Sequence, residues 1–307
     1  MTSILTNVAA MSALQTLRSI NNNLQDTQSR VSSGYRVAKA SDNAAYWSIA
    51  TSMRSDNSAL SAVSDALGLG AAKVDTAYTA MSTALTVVGQ IKDKLVAATE
   101  NSVSKGDVQQ EISQLQQQLE SIAQSASFSG QNWMYAANGA SASVVSSFVR
   151  NNNGTVSVNS TSYSFDTGSH GNVMFGAKPS GALDTSSGIL GSKQTIGSNS
   201  YSVFSLDITG MTNGDIGKAM NLVQGALNAM TSTSSQLGSL STRIDLQTNF
   251  VSTLRDTIDS GVGKLVDANM EQESSRLSAL QTQQQLAIQS LQIANTSAQN
   301  VLSLFKA

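Results

Sequence analysis

The sequence contains no cysteine, one proline (Pro179) and one histidine (His170). Without thiols there is no disulfide, no thiolate nucleophile and no cysteine-ligated zinc. Such a chain can also pass from a reducing to an oxidising compartment without cross-linking. A single histidine excludes metal sites and general-base schemes that need two. With one proline, little outside the glycine-rich stretches interrupts a long helix. Charge is scarce too: 12% of residues are charged and the net charge is −2, which leaves no basic footprint for nucleic acid. No apolar run reaches the about 18 residues of a membrane span, so membrane insertion is not expected. The first basic residue is Arg18, so the start lacks the basic region of a secretory signal peptide, and export would need another route.

What is present is helical periodicity. With 307 residues and 40% hydrophobic content the chain can bury a core in two or three domains. Ala10, Leu14, Leu17, Asn21, Leu24, Gln28 and Val31 form one stripe at three-four spacing. A longer one runs through Ile49, Met53, Asp56, Leu60, Val63, Leu67, Gly70, Val74, Ala77, Met81, Ala84, Val88, Ile91, Leu95 and Ala98. Its 3.5-residue period predicts supercoiling against a partner helix. Asp107 and Gln110 are spaced as a capping box before a third stripe, Val108, Ile112, Leu115, Leu119 and Ile122. The C-terminal part repeats the pattern through Ile216, Met220, Val223, Leu227 and Met230, then Leu237, Leu240, Ile244, Gln247, Val251, Leu254, Ile258 and Leu265. Leu277, Leu280, Gln284, Ala287, Leu291, Ala294, Ala298, Val301 and Phe305 complete it.

The middle differs. Residues 130–215 hold twelve of the 22 glycines and the proline. Val156-Ser-Val158, Tyr163-Ser-Phe165 and Tyr201-Ser-Val203, leading towards Leu206 and Ile208, read as strands. Asn152-Asn-Gly154 and Asn213-Gly214 read as turns. The expected fold is mainly α: long antiparallel heptad-patterned helices from both termini, packed as a coiled-coil bundle, with a small β-rich insertion in the middle. The expected seam comprises Leu60, Val63, Leu67, Val74, Met81, Val88 and Leu95 against Ile244, Leu254 and Ile258.

The two ends lack charge: residues 1–17 and 277–305 contain no Asp, Glu, Lys or Arg. Gln, Ser, Thr and Asn take the polar positions, too polar for lipid and too neutral for an ordinary solvated helix face. A monomeric helix pair that merely lacks charge is the plain reading. The alternative is a helix surrounded by copies of itself, where buried charge would be costly. Each buried Leu or Ile contributes on the order of 1.5–3 kcal/mol. Leu5, Leu14, Leu17, Leu24, Leu280, Leu291, Ile293, Val301, Leu302, Leu304 and Phe305 are the candidate polymerisation residues. In a lone chain these ends are expected to lack partners and stay disordered.

Arg30-Val-Ser32-Ser33-Gly34-Tyr-Arg36-Val-Ala-Lys-Ala-Ser-Asp42-Asn-Ala-Ala45 resembles the N-terminal signature of bacterial flagellins. The run from Ala268-Asn-Met270 to Asn300-Val-Leu-Ser-Leu304-Phe resembles their C-terminus. The resemblance covers about residues 1–130 and 215–307 in the family order, and Arg30, Ser32, Ser33, Gly34, Arg36 and Asp42 carry the signature loop. It implies a self-assembling subunit of the flagellar filament, exported unfolded by the flagellar type III apparatus. An export chaperone, a filament cap and hook-associated proteins are the implied partners, beside the chain itself and paralogous flagellins. It also implies an inner helical domain (1–40 and 266–307), a helical rod (41–130 and 215–265) and an outward insertion (131–214). Asn43 stands where the family usually has a second Asp, and Tyr46-Trp47 replaces a usual Gly; these aromatics suit an inter-subunit contact, a helix–loop contact or ordinary core packing. Around Gln90-Ile-Lys-Asp-Lys-Leu95 the Arg-rich pattern that many flagellins present to an innate immune receptor is missing, so weak recognition is expected.

No active-site constellation emerges, and neither enzyme activity nor a cofactor is expected. His170 in Ser-His-Gly reads as a loop residue rather than a ligand. Asp267, Glu271 and Glu273 beside Arg276 read as a solvated helix turn with local salt bridges rather than a cation site. Asn153, Asn159 and Asn295 fit a short glycosylation pattern that is frequent by chance. A hook–filament junction protein, with similar ends, and a secreted adhesin using the insertion are the other readings.

Overall fold

The computed structural model describes residues 7–151 and 155–304, with residues 297–304 described as helical backbone only. Five helices carry most of it: α1 (Val8–Ser33), α2 (Ala44–Ala97), α3 (Lys105–Ser125), α4 (Asn213–Val266) and α5 (Met270–Leu304). The mainly helical fold with a strand-bearing middle is thus the one the chain adopts. It divides into two compact units, Met1–Ser58 with Arg255–Ala307 and Ala59–Leu254, so α2 and α4 contribute to both.

In the first unit, α1 pairs with α5 and the start of α2 with the end of α4. The structure corrects the α1 stripe. Ala10, Leu17, Leu24 and Val31 face inward as expected, but the alternate positions are Ala13, Ile20 and Thr27, while Leu14, Asn21 and Gln28 are exposed, Asn21 at the rim where Gln284 of α5 reaches it. Both choices keep a seven-residue repeat, and only Thr27, fully buried, was hidden by its polar type. Ile49 also leaves its stripe and is 49% exposed. A small core of Val37, Ala50, Val262 and Val266, with Met53, Ile258 and Leu265 against it, holds the α2 and α4 segments of this unit.

In the second unit the α2 stripe is buried at every expected position from Leu60 to Ala98. From α4, Ile216, Val223, Met230, Leu237, Ile244 and Val251 are buried, and from α3 Val108, Ile112, Leu119 and Ala123. Ser241 donates to Asp75 and Lys92 Nζ to Gln224, so α2 and α4 run antiparallel. Lys94 and Glu111 pair α2 with α3. The cap of α3 lies three residues earlier than expected: Ser104 accepts from the Asp107 N–H, and Asp107 sits in the first turn, not at the cap.

The middle holds short strands: β1 (Ser127–Phe128), β2 (Gln131–Asn132), β3 (Tyr135–Ala136), β4 (Ser141–Arg150), β5 (Val156–Ser164), β6 (Phe175–Ala177), β7 (Leu183–Asp184), β8 (Gln194–Ile196) and β9 (Asn199–Tyr201). β4 and β5 form a long antiparallel hairpin, with a register shift between Val145 and Ser147. The two expected strands at Val156 and Tyr163 are a single strand, and β4 was not expected, because its SASVVSS run gives only weak alternation. Tyr201 ends β9, and Leu206 and Ile208 are buried without being strand. Their backbone groups are satisfied by glutamines of α3 instead: Gln109 donates to the Leu206 carbonyl and accepts from the Ile208 N–H, and Gln116 donates to the carbonyls of Val203 and Leu206. Asn213-Gly214 is the first turn of α4 rather than a loop turn, with Thr212 capping the Asp215 N–H. Asn152–Gly154 lies outside the described residues.

Candidate self-assembly interface

α1 begins where Asn7 accepts from the Ala10 N–H and ends where Gly34 adopts φ 74°. α5 begins after Asn269, whose side chain accepts from the Gln272 N–H. The two helices lie antiparallel. Asn7 donates to the Ala294 carbonyl at 2.9 Å, Gln284 to Asn21 at 2.7 Å, and Arg30 pairs with Glu273 at 3.4 Å. The lone chain therefore gives its ends a partner, each other, contrary to the expectation that they would have none. Glu273 is 8% exposed and bound across the pair, so the acidic turn at Asp267, Glu271 and Glu273 is not wholly a solvated one. Burial of a carboxylate is tolerated there because the guanidinium of Arg30 reaches it.

A two-helix pair can cover only one face of each helix. On α5 that face is Glu273, Leu277, Leu280, Gln284, Ala287, Leu291 and Ala294. Leu17, Leu24, Leu280 and Leu291 of the candidate polymerisation set are spent inside the pair, whereas Leu14 and Ile293 are 39% and 68% exposed. Val301, Leu302 and Leu304 lie on α5 where the backbone alone is described, and Leu5 and Phe305 lie outside the described residues. Leu286 and Ile288 are likewise open, as are Val8 and Met11, which the sequence reading missed; all four are large apolar side chains on these neutral outer faces. The signal was available, since each falls off the inward stripe.

The signature loop joins α1 to α2 and is stitched to the α4–α5 break. Arg36 and Val37 N–H groups donate to the Val266 carbonyl, and the Ala268 N–H donates to the Gly34 carbonyl. Arg36 Nη2 adds a bond to the Leu265 carbonyl at 2.9 Å. Gly34 needs its left-handed conformation to end α1 with its N–H on the Arg30 carbonyl. Ser33 accepts from the Tyr35 N–H, and Asp42 closes the loop by accepting from the N–H groups of Ala38 and Lys39. Ser32 is exposed. Asn43, where a second Asp is usual, accepts from the Tyr46 N–H and so caps α2 as an Asp would.

Comparison with known proteins settles what these elements belong to. The N-terminal helical region of bacterial flagellin matches residues 4–139, and the C-terminal helical region matches residues 220–305. The chain belongs to the bacterial flagellin family. It is 50% identical to Flagellin C of Rhizobium meliloti (strain 1021), 46% to Flagellin A of Rhizobium meliloti and 43% to a flagellin of Brucella melitensis biotype 1, in each case over the whole of both chains. It is a structural subunit of the extracellular flagellar filament.

The remaining residues of interest in this flagellin are placed as follows. Leu60, Val63, Leu67, Val74, Met81, Val88, Leu95 and Ile244 are buried in the second unit, while Leu254 there and Ile258 in the first unit are half-buried. Tyr46 and Trp47 are 41% and 37% exposed and take no part in the small core, which excludes core packing for them. His170 is exposed beside Ser169, with which it shares a 3.1 Å hydrogen bond. Asn159 sits on β5 bonded to Ser147, Asn295 is exposed on α5, and Asn153 lies outside the described residues. Among the described residues no group of three or more His, Asp or Glu side chains could hold a metal ion. A cavity of about 180 Å³ under the hairpin is lined by Leu67, Val144, Thr161, Leu240, Arg243 and Ile244 among others, and Arg243 is the titratable group among its described lining residues. Burial pushes the Tyr163 phenol up to about 12, which keeps it neutral in the cluster it forms with Trp133 and Phe165.

Proposed function

We propose that the chain polymerises through the neutral outer faces of α1 and α5, and that these faces become the innermost, most enclosed part of the filament. The observation that carries this is the combination on those faces of exposed Val8, Met11, Leu286 and Ile293 with a complete lack of charge over residues 7–17 and 277–304. A solvated surface would carry ions, whereas a face covered by other copies has reason to exclude them. Residues 1–40 and 266–307 then form the inner domain, 41–130 and 215–265 the rod, and 131–214 the outward insertion. The chain acts without catalysis and without a cofactor. It leaves the cell unfolded and meets an export chaperone, a filament cap and hook-associated proteins on the way to its place. Full-length identity to flagellins favours the filament over a junction protein or an adhesin.

Seeded growth tests the reading. Purified protein at rising concentration, given filament fragments, is expected to elongate into micrometre fibres. Removing residues 291–307 is expected to abolish growth while leaving most of the helical circular dichroism. A full-length monomer that ignores seeds, or a truncation that still polymerises, refutes it.

A further inference from the structure

We propose that the aromatic and arginine patch at the start of α2, formed by Tyr35, Arg36, Tyr46, Trp47 and Arg54, is a contact surface for a second copy of this chain, separate from the outer faces of α1 and α5. The proposal rests on the self-assembly reading and adds a second, unlike surface to it. Only 5% of the residues are aromatic and two are tryptophan, yet Tyr35, Tyr46 and Trp47 lie close in sequence here and remain 37–41% exposed. The guanidinium of Arg54 lies 4.9 Å from the centre of the Tyr35 ring, and that of Arg36 lies 6.0 Å from the Tyr46 ring. Trp47 and Arg54 are seven residues apart on α2 and so share a stripe.

The small core beside them is complete without any of these rings, so they are not displaced core residues. The Tyr35 and Tyr46 rings, each with a guanidinium over it, lose little freedom on binding, and Trp, Tyr and Arg are the types that dominate interface energetics. The patch is also rigidly mounted. Arg36 is anchored to the Leu265 carbonyl, and Tyr46 leaves the Asn43 cap in the first turn of α2.

The occupant follows from charge. Arg36 and Arg54 give the patch a positive character, and the other arm of the same unit exposes Asp256 and Glu271. A second copy therefore brings complementary carboxylates on a surface different from the patch itself. Contacts between unlike surfaces propagate into open polymers, whereas self-complementary ones close into dimers.

Trp47 itself provides the readout. Trp133 is 3% exposed and stacked on Tyr163, so Trp133→Phe leaves Trp47 as the sole, solvent-open indole. On seeded polymerisation its emission is expected to shift to the blue and to lose most of its quenching by acrylamide. Trp47→Ala and Arg54→Glu, checked for unchanged circular dichroism, are expected to raise the critical concentration for filament growth about tenfold. Should Trp133→Phe disturb the fold, hydroxyl-radical footprinting of the unsubstituted chain reads oxidation of Trp47 in monomer and filament directly. Trp47 equally accessible in both, or an unchanged critical concentration in Trp47→Ala, overturns the proposal. Failure of the unsubstituted chain to polymerise would instead overturn the self-assembly reading.

Discussion

Gly70 on α2 lies against Val144 of the hairpin β4–β5, and its replacement by alanine tests how that hairpin is held. A Cβ built on Gly70 falls far inside van der Waals contact of Val144 Cγ1, and Val144 is 5% exposed. The neighbour cannot swing aside freely, because a β-branched side chain is stiff at χ1. Overpacking of this kind costs about 1–3 kcal/mol. Against it, Gly→Ala inside a helix gains about 1 kcal/mol. Gly70→Ala is therefore expected to destabilise by about 1 kcal/mol net. In a Val144→Ala background the obstructing methyl is gone, and the same change is expected to stabilise by about 1 kcal/mol. The coupling of about 2 kcal/mol is the quantity to measure, by urea denaturation of monomer at concentrations below polymerisation. If Gly70→Ala changes stability equally in both backgrounds, the hairpin does not dock on this notch and the reasoning fails.

Gly34→Ala meets no atom within 4 Å, so its cost is conformational alone, about 1 kcal/mol, and Gly34→Asn is expected to cost less because Asn tolerates the left-handed region; thermal denaturation of the two variants compares them. Glu273→Ala is expected to cost about 1 kcal/mol, no more, because the partner side chain of Arg30 is 37% exposed and partly screened; a double-mutant cycle with Arg30→Ala measures the pair. At the Gln90–Leu95 segment Lys92 is bound to Gln224 and Lys94 to Glu111, and purified monomer is expected to give a weak response in an innate-receptor reporter assay; a potent response would contradict this.

The long helices were legible because their cores obey one period. Every position from Leu60 to Ala98 on the α2 stripe is buried, and no polar residue interrupts it. On α1 the same method chose Leu14, Asn21 and Gln28 over Ala13, Ile20 and Thr27, because two heptad tracks share every other residue and hydrophobicity alone does not separate them when one carries alanine and threonine. The neutrality of the ends was visible as composition, but that Leu14 stays open while Leu17 and Leu24 turn inward was not. That depends on α1 pairing with α5, a contact between residues almost the whole chain apart. In the middle, Leu206 and Ile208 looked like strand because burial and alternation were read as one signal; two glutamine side chains on α3 supply the bonding that a neighbouring strand would have given. The role of Arg30 as partner to Glu273 was hidden because the two residues are 243 apart in sequence.

The stitching of the signature loop to the α4–α5 break has a mechanical meaning. The chain bends twice, once on its way out at Gly34 and once on its way back near Ala268, and the two bends are bonded to each other. A joint made of one strand swivels about its soft backbone dihedrals, but two strands fastened side by side cannot turn without shearing the bonds between them. Such an elbow resists torsion while costing no long rigid element, and a twist applied to the α1–α5 pair reaches Val37 and Val266 as a couple rather than being lost in a free rotation. For a subunit of a filament used for swimming, that makes the bend a place where torque is passed on.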